Sequence, residues 1–208
     1  MSPFSLHGFF QRFLPLSDAD WKLAEPFFHL VSLEKGEHWV RPGQVVQQMA
    51  VVEKGLLRLY YQQENREKIM LFFREGSIAG DYFSLLSQTP SLRPVQALEP
   101  CRLWAIRGAD LQRLYQHPAW EQLGRKLAEM AYLYAVHRAN RLLHDKPETR
   151  YQTLLQEQPD LLQRVPQYMV ASYLDLTPEA LSRVKARLQQ QGSAAPSVHG
   201  PLDEEIPW

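Results

Sequence analysis

A single cysteine, Cys101, stands in a chain of 208 residues. One thiol excludes an intramolecular disulfide, a thiolate zinc site and a four-cysteine iron–sulfur cluster, so no iron–sulfur cofactor is expected. The plain reading of Cys101 is a small, buried apolar residue. An excess of charge of either sign is equally missing, since 23 Lys and Arg balance 23 Asp and Glu. No overall cationic field attracts nucleic acid, and any such affinity has to come from local arrangement. No stretch approaches the roughly 18 consecutive apolar residues needed to cross a bilayer, and the N-terminus lacks a cationic segment followed by an apolar core and a cleavage site. A cytoplasmic protein with no membrane partner is expected.

What is present falls into three patterned regions. Residues 17–30, SDADWKLAEPFFHL, begin with a Ser cap ahead of a short helix, and Pro26 near its end implies a break. From about 31 to 107, short β-rich runs are punctuated by Gly36, Gly43, Gly55 and Gly76, a spacing suited to an antiparallel barrel or sandwich. VQALEPCRLWAI, residues 95–106, reads as its closing strands. Helical pattern returns at Gly108, and Pro118 precedes a long helical segment that runs without proline to Pro147. Along it Leu123, Leu127, Met130, Tyr134, His137 and Arg141 recur at four- and three-residue steps, a heptad seam suited to a homodimer contact. The alternative is packing against the chain's own barrel, with Trp120, Gly124, Ala131 and Ala135 as a second stripe.

Residues 165–188, VPQYMVASYLDLTPEALSRVKARL, read as two short helices joined by a tight turn. Val165, Met169, Val170, Tyr173 and Leu174 form one apolar face. Asp175 suits a left-handed turn position, Thr177 an N-cap, and Pro178 the first helical position, where its missing N–H costs nothing. On the second helix Leu181, Val184 and Leu188 share one face, opposite Glu179, Ser182, Arg183 and Ala186. In a helix-turn-helix such a second helix enters the major groove of double-stranded DNA. Arg183 is then suited to guanine O6 and N7, and Glu179 to cytosine N4. Gln167, Tyr168, Thr177, Ser182, Lys185 and Arg187 complete the expected DNA-binding set, Lys185 and Arg187 with Gln167 and Tyr168 as phosphate contacts. The bland alternative is a surface ion pair between Glu179 and Arg183, worth a few tenths of a kcal/mol.

A barrel, a long helix and a helix-turn-helix in this order resemble the Crp/Fnr family of bacterial transcription regulators over about residues 15–190. The stretches that carry the resemblance are VVEKGLLRLYY, FFREGSIAGDYFSLLSQTPS followed by VQALE, and RVPQYMVASYLDLTPEALSRVKARL, the last worded like the branch common in Bacteroidetes-type genomes. The resemblance implies an α+β fold: an N-terminal antiparallel β-barrel of the cyclic-nucleotide-binding type (a double-stranded β-helix), a long dimerisation helix and a C-terminal winged helix-turn-helix. The corresponding divisions are 1–118 for the sensor, 119–146 for the dimerisation helix, 147–191 for the DNA-binding domain and 192–208 for an irregular tail. The implied function is sequence-specific transcriptional regulation by a homodimer on a roughly palindromic operator, under a small effector, with RNA polymerase as a further partner. An alternative is a sensor whose helix-turn-helix contacts a protein partner.

The nucleotide pocket carries over only in part. In cyclic-AMP-binding members a Gly-Glu pair addresses ribose and backbone amides, and an Arg-Ser pair holds the phosphate. Here Gly80-Asp81 resembles the first with a shorter acid, and Arg93-Pro94 the second without a hydroxyl or N–H after the arginine. Gly80, Asp81, Arg93 and Tyr134 are the candidate effector contacts, a surface cation being the alternative for Arg93. A cyclic nucleotide is thus weighed against a degenerate motif, and no cofactor is assigned. Pro178 stands where the best-known activator has an additional base-reading arginine, so the operator should differ. His29, His38, His117 and His137 show no ligand spacing, and no metal site is expected. Without a catalytic triad, a His-x-His pair or a phosphate-binding glycine loop, no catalytic residues are assigned and an enzyme is not expected.

Overall fold

The computed structural model describes residues 4–63 and 66–190. Two short helices open it, α1 (Leu6–Gln11) and α2 (Asp18–Ala24). Ser5 caps the first by accepting from the Gly8 N–H at 3.1 Å, and Ser17 and Asp20 cap the second reciprocally. Pro26 then sits in a 3-10 turn, Glu25–Phe27, as the expected break. Helix α1 was not expected from the sequence. Its Phe9 and Phe10 are buried, as is Phe13 just beyond it, and the Phe10 ring meets Trp120 edge-on with centroids 5.5 Å apart.

Eight strands follow: β1 (His29–Leu33), β2 (His38–Val40), β3 (Gln48–Lys54), β4 (Leu57–Gln63), β5 (Arg66–Phe73), β6 (Ile78–Ala79), β7 (Val95–Ala97) and β8 (Cys101–Arg107), with α3 (Tyr82–Ser87) between β6 and β7. They form two antiparallel four-stranded sheets, ordered β1-β8-β3-β6 and β2-β7-β4-β5. Of the barrel and the sandwich that the glycine spacing allows, the described residues form the sandwich. Each set of strands is hydrogen-bonded within its own sheet, giving a jelly-roll-like pair of sheets and no closed barrel. Leu57, Leu59 and Phe73 of the second sheet share one core with Val52, Leu103 and Ala105 of the first. The next residues in the pleat, Tyr60, Ile69 and Phe72, belong to a second core. Gly55 is obligatory at its turn, with φ of 103°, because a Cβ there would lie 2.7 Å from the Pro100 carbonyl oxygen and 2.8 Å from the Cys101 Cα.

Helix α4 (Gly108–Leu114) leads to α5 (Pro118–His144), 27 residues long with Pro118 in its first turn. The heptad seam exists, but its own chain occupies it. Leu123 is 1% exposed within the sheet-domain core, while Leu127 and Met130 pack against that core. Tyr134 meets Tyr173 of the C-terminal helices, and His137 lines a cavity beside it. Within the chain, Leu123, Leu127, Met130, Tyr134 and His137, the residues expected at a dimer contact, face the sheet-domain core and the C-terminal helices. A different stripe is exposed: Tyr132, Leu133, Val136 and Leu143.

Asp145 and Lys146 are extended and separate α5 from α6 (Pro147–Glu157). Then come α7 (Leu161–Arg164), α8 (Gln167–Tyr173) and α9 (Pro178–Gln190). Leu154, Leu161, Met169, Val170, Leu181 and Val184 close the second core together with Leu56 of the turn between β3 and β4 and Tyr60, Ile69 and Phe72 of the sheets. The C-terminal helices thus share a core with β4 and β5. The expected tail, 192–208, lies outside the described residues, as does the stretch after 190 where a wing would follow; between 147 and 190 the structure is helical with turns.

Candidate nucleic-acid interface and effector pocket

Helices α8 and α9 are set by the turn between them. Asp175 has φ of 58°, the left-handed conformation expected of it. The Thr177 hydroxyl accepts from the Ala180 N–H at 3.2 Å, and the Thr177 carbonyl accepts from Leu181 at 3.0 Å, so the helix starts where Thr-Pro-Glu predicts. Leu181 and Val184 are buried and Leu188 packs against the same core. That leaves Thr177, Glu179, Ser182, Arg183 and Arg187 exposed along the outer face of α9, with Gln167 and Tyr168 exposed at the start of α8.

The charged residues of this face are engaged differently. Lys185 donates to the Gln167 side-chain oxygen at 3.1 Å, and Arg187 pairs with Glu148 at 2.9 Å. Arg183 makes no hydrogen bond or ion pair among the described residues. Glu179 is held below the ordinary carboxylate range by its own backbone N–H and then by Thr177, with smaller contributions from the charges of Arg183 and Arg66. Its carboxylate remains an anion and an acceptor at neutral pH.

The inner face of α8 is fastened to the sheet domain. Strand β5 is an edge strand, whose free N–H and C=O groups would otherwise be an open template for pairing. Ser172 closes that edge: its hydroxyl accepts from the Ile69 N–H at 2.9 Å and donates to the Glu67 carbonyl at 2.8 Å. Lys68 pairs with Asp175, and the Phe72 and Tyr173 rings lie 5.2 Å apart. Arg164 reaches Glu75 at 2.9 Å and Glu99 at 2.7 Å, and these hydrogen bonds raise its already high pKa. None of these contacts was anticipated. Ser172 carries no distinguishing sequence signal, because its partners are backbone groups about a hundred residues away.

The candidate effector residues divide. Gly80, Asp81 and Arg93 come together, whereas Tyr134 lies at the junction of α5 and α8, where burial raises its phenol well above the ordinary value. Gly80 has φ of 154°, a conformation that L side chains rarely adopt, and it delivers Asp81 to the N-cap of α3. The Asp81 carboxylate is 2% exposed and accepts from the Ser84 N–H at 3.3 Å, the Ser91 hydroxyl at 2.6 Å and the Arg93 Nε at 3.2 Å, with a further bond from the Arg93 Nη2. Arg93 also stacks over Phe83. Acid and base are thus each other's partners. Leu57, Leu59, Phe73, Val95, Ala97 and Leu103 of the two sheets, all 3% exposed or less, fill the core of this domain. A ligand that used Arg93 as its cation would compete with Asp81 for that guanidinium.

Cys101 is buried as the sequence suggested, and burial pushes its thiol up to about 11, so the reactive thiolate is scarce at neutral pH. No helix among the described residues is long and apolar enough to cross a membrane.

Comparison with known proteins places this geometry. The cyclic nucleotide-binding domain family matches residues 30–117. FixK2 from Bradyrhizobium japonicum superposes with a TM-score of 0.67 at 18% identity, covering 81% of this chain and 89% of that one. A protein assigned to the crp/fnr family of transcriptional regulators from Eubacterium rectale gives 0.67 at 16% identity, with 89% of each chain covered. The catabolite activator protein of Thermus thermophilus gives 0.54 at 21% identity, covering 86% of this chain and 87% of that one. The likeness spans the sheets, the long helix and the C-terminal helices, and does not single out a Bacteroidetes-type branch. No curated protein sequence matches the chain.

Proposed function

We propose, for a chain whose residues 30–117 are a cyclic nucleotide-binding domain within the architecture of the Crp/Fnr transcriptional regulators, that it binds double-stranded DNA sequence-specifically as a homodimer and regulates transcription. The observation that carries this reading is the outer face of α9. There a defined helix start presents Glu179, Ser182 and Arg183 to solvent, while Leu181 and Val184 anchor the helix behind them. Arg183 reads guanine and Glu179 reads cytosine. Lys185 and Arg187 release Gln167 and Glu148 to take phosphates. Two chains pair through Tyr132, Leu133, Val136 and Leu143 of α5, and the two α9 helices enter successive major grooves about 34–36 Å apart. In this reading the protein is a cytoplasmic regulator rather than an enzyme, and RNA polymerase is a partner at the promoter.

The test is selection of bound sequences from random DNA by the purified chain. A two-fold-related motif is expected, with affinity falling steeply as salt rises. Arg183→Ala should cost about 1–3 kcal/mol at particular base pairs, and Lys185→Ala should weaken specific and random DNA alike. Failure to enrich any motif, with and without cell extract, would turn the reading toward a protein-contacting helix-turn-helix.

A further inference from the structure

Where α5, α6 and α8 meet, the structure holds a cavity of about 60 Å³ that opens to solvent. By the same measure roughly 10–15 Å³ accommodates one water, so a tetrahedral anion or a carboxylate with a short tail fits. Its charged lining is unbalanced. Arg138 and Arg141 come from α5 and Arg150 from α6, against the single carboxylate of Glu157.

The donors of these arginines are only partly used. Arg141 donates one nitrogen to Glu157, at 3.1 and 3.3 Å from its two oxygens. Arg138 gives one bond to the Tyr173 carbonyl at 3.0 Å and lies over the Tyr173 ring. Arg150 donates to the Leu142 carbonyl at 3.0 Å, which satisfies one carbonyl of the last turn of α5, but its Nε is buried without a partner. A guanidinium carries five N–H donors and no acceptor, and a buried N–H left unpaired costs free energy. Three guanidinium groups converging on a cavity with one unpaired buried donor is the chemistry of an anion site. The Asp81–Arg93 pair is its opposite, because there the protein supplies the anion itself.

We propose that this cavity binds a small anion bearing a carboxylate or a phosphate, held by Arg138, Arg141 and Arg150. Because the three come from both sides of the extended residues Asp145 and Lys146, occupancy ties the long helix to the C-terminal helices. The consequence for DNA affinity rests on the function proposed above; anion binding itself does not.

Calorimetric titration of the full chain at low chloride, with inorganic phosphate in one arm and citrate in the other, tests the site. Saturable binding of one equivalent per chain is expected in at least one arm, and the arm that responds identifies the anion's chemistry. Arg150→Gln should weaken it about tenfold or more, as befits loss of hydrogen bonding to a charged group. Arg183→Gln, on the outer face of α9, should leave it unchanged. Glu157→Gln removes the competing carboxylate and should strengthen binding, a gain that a purely structural role for these arginines does not produce. Where circular dichroism shows that Arg150→Gln does not fold, Glu157→Gln decides. Absence of saturable binding in both arms, unchanged affinity in folded Arg150→Gln, or loss in Arg183→Gln instead, overturns the site.

Discussion

The C-terminal helices meet the rest of the chain on two sides, and the two are built by opposite rules. Against β4 and β5 polar groups are matched: Ser172 satisfies the Ile69 N–H and the Glu67 carbonyl of the edge strand, Arg164 is shared between two carboxylates, and Phe72 meets Tyr173. Against the end of α5 donors outnumber acceptors, a cavity remains, and one arginine N–H is unpaired. Tyr173 belongs to both, touching Phe72 on one side and Arg138 and Tyr134 on the other. A matched interface resists movement, whereas an unmatched one gains whatever free energy an added partner brings. The first side behaves as the fastening and the second as the place where a ligand acts.

The strongest way to break this contrast is to remove the apolar anchor of the fastened side. Phe72 is 6% exposed in the second core, and Phe72→Ala should cost about 3–5 kcal/mol of stability, read from thermal or denaturant unfolding. A cost below about 1 kcal/mol would mean that the helices are only loosely laid on β5. Ser172→Ala comes next, at about 1–3 kcal/mol, because it leaves the Ile69 N–H and the Glu67 carbonyl without their partner. Amide hydrogen exchange at Ile69 should accelerate selectively in that variant. Unaltered exchange would show that this edge is guarded by something other than Ser172.

How much of this was readable beforehand follows from the range of the interactions. The cap at Thr177, the left-handed Asp175 and the apolar stripe of α9 depend on neighbours within a turn or two, and composition and spacing expose them directly. The glycine-punctuated strands were equally visible as strands. Their closure was not, because which edges pair is decided between residues far apart, as in Leu33 with Cys101. The seam on α5 illustrates a second limit. Heptad spacing says that one face is covered, but covering by a partner chain and covering by one's own sheets and helices produce the same pattern. Gly80, Asp81 and Arg93 were found by resemblance and do cluster, yet only the geometry reveals that Asp81 already occupies the guanidinium.

The smallest effect expected separates the charged part of the fastening from its apolar part. Burial pushes the Glu75 carboxyl up, but hydrogen bonds donated by Arg164, by its own backbone N–H and by the Gly55 N–H, together with the Arg164 charge, outweigh that and hold it below its ordinary 4.5. A carboxyl lowered in the folded state binds protons more readily when unfolded. Its contribution is therefore fully present above about pH 4.5 and is lost as pH falls through the lower folded value. The Glu75 side chain is 43% exposed, so water and salt screen the pair, and the contribution is expected to stay within about 1 kcal/mol. The comparison that isolates it is unfolding free energy against pH for the wild type and Glu75→Gln, in low and high salt. The two curves should converge as pH falls below 4.5 and lie apart above it, by less in high salt. Parallel curves throughout would assign the fastening to Phe72, Tyr173 and Ser172 alone, with Arg164 serving only to avoid a cost.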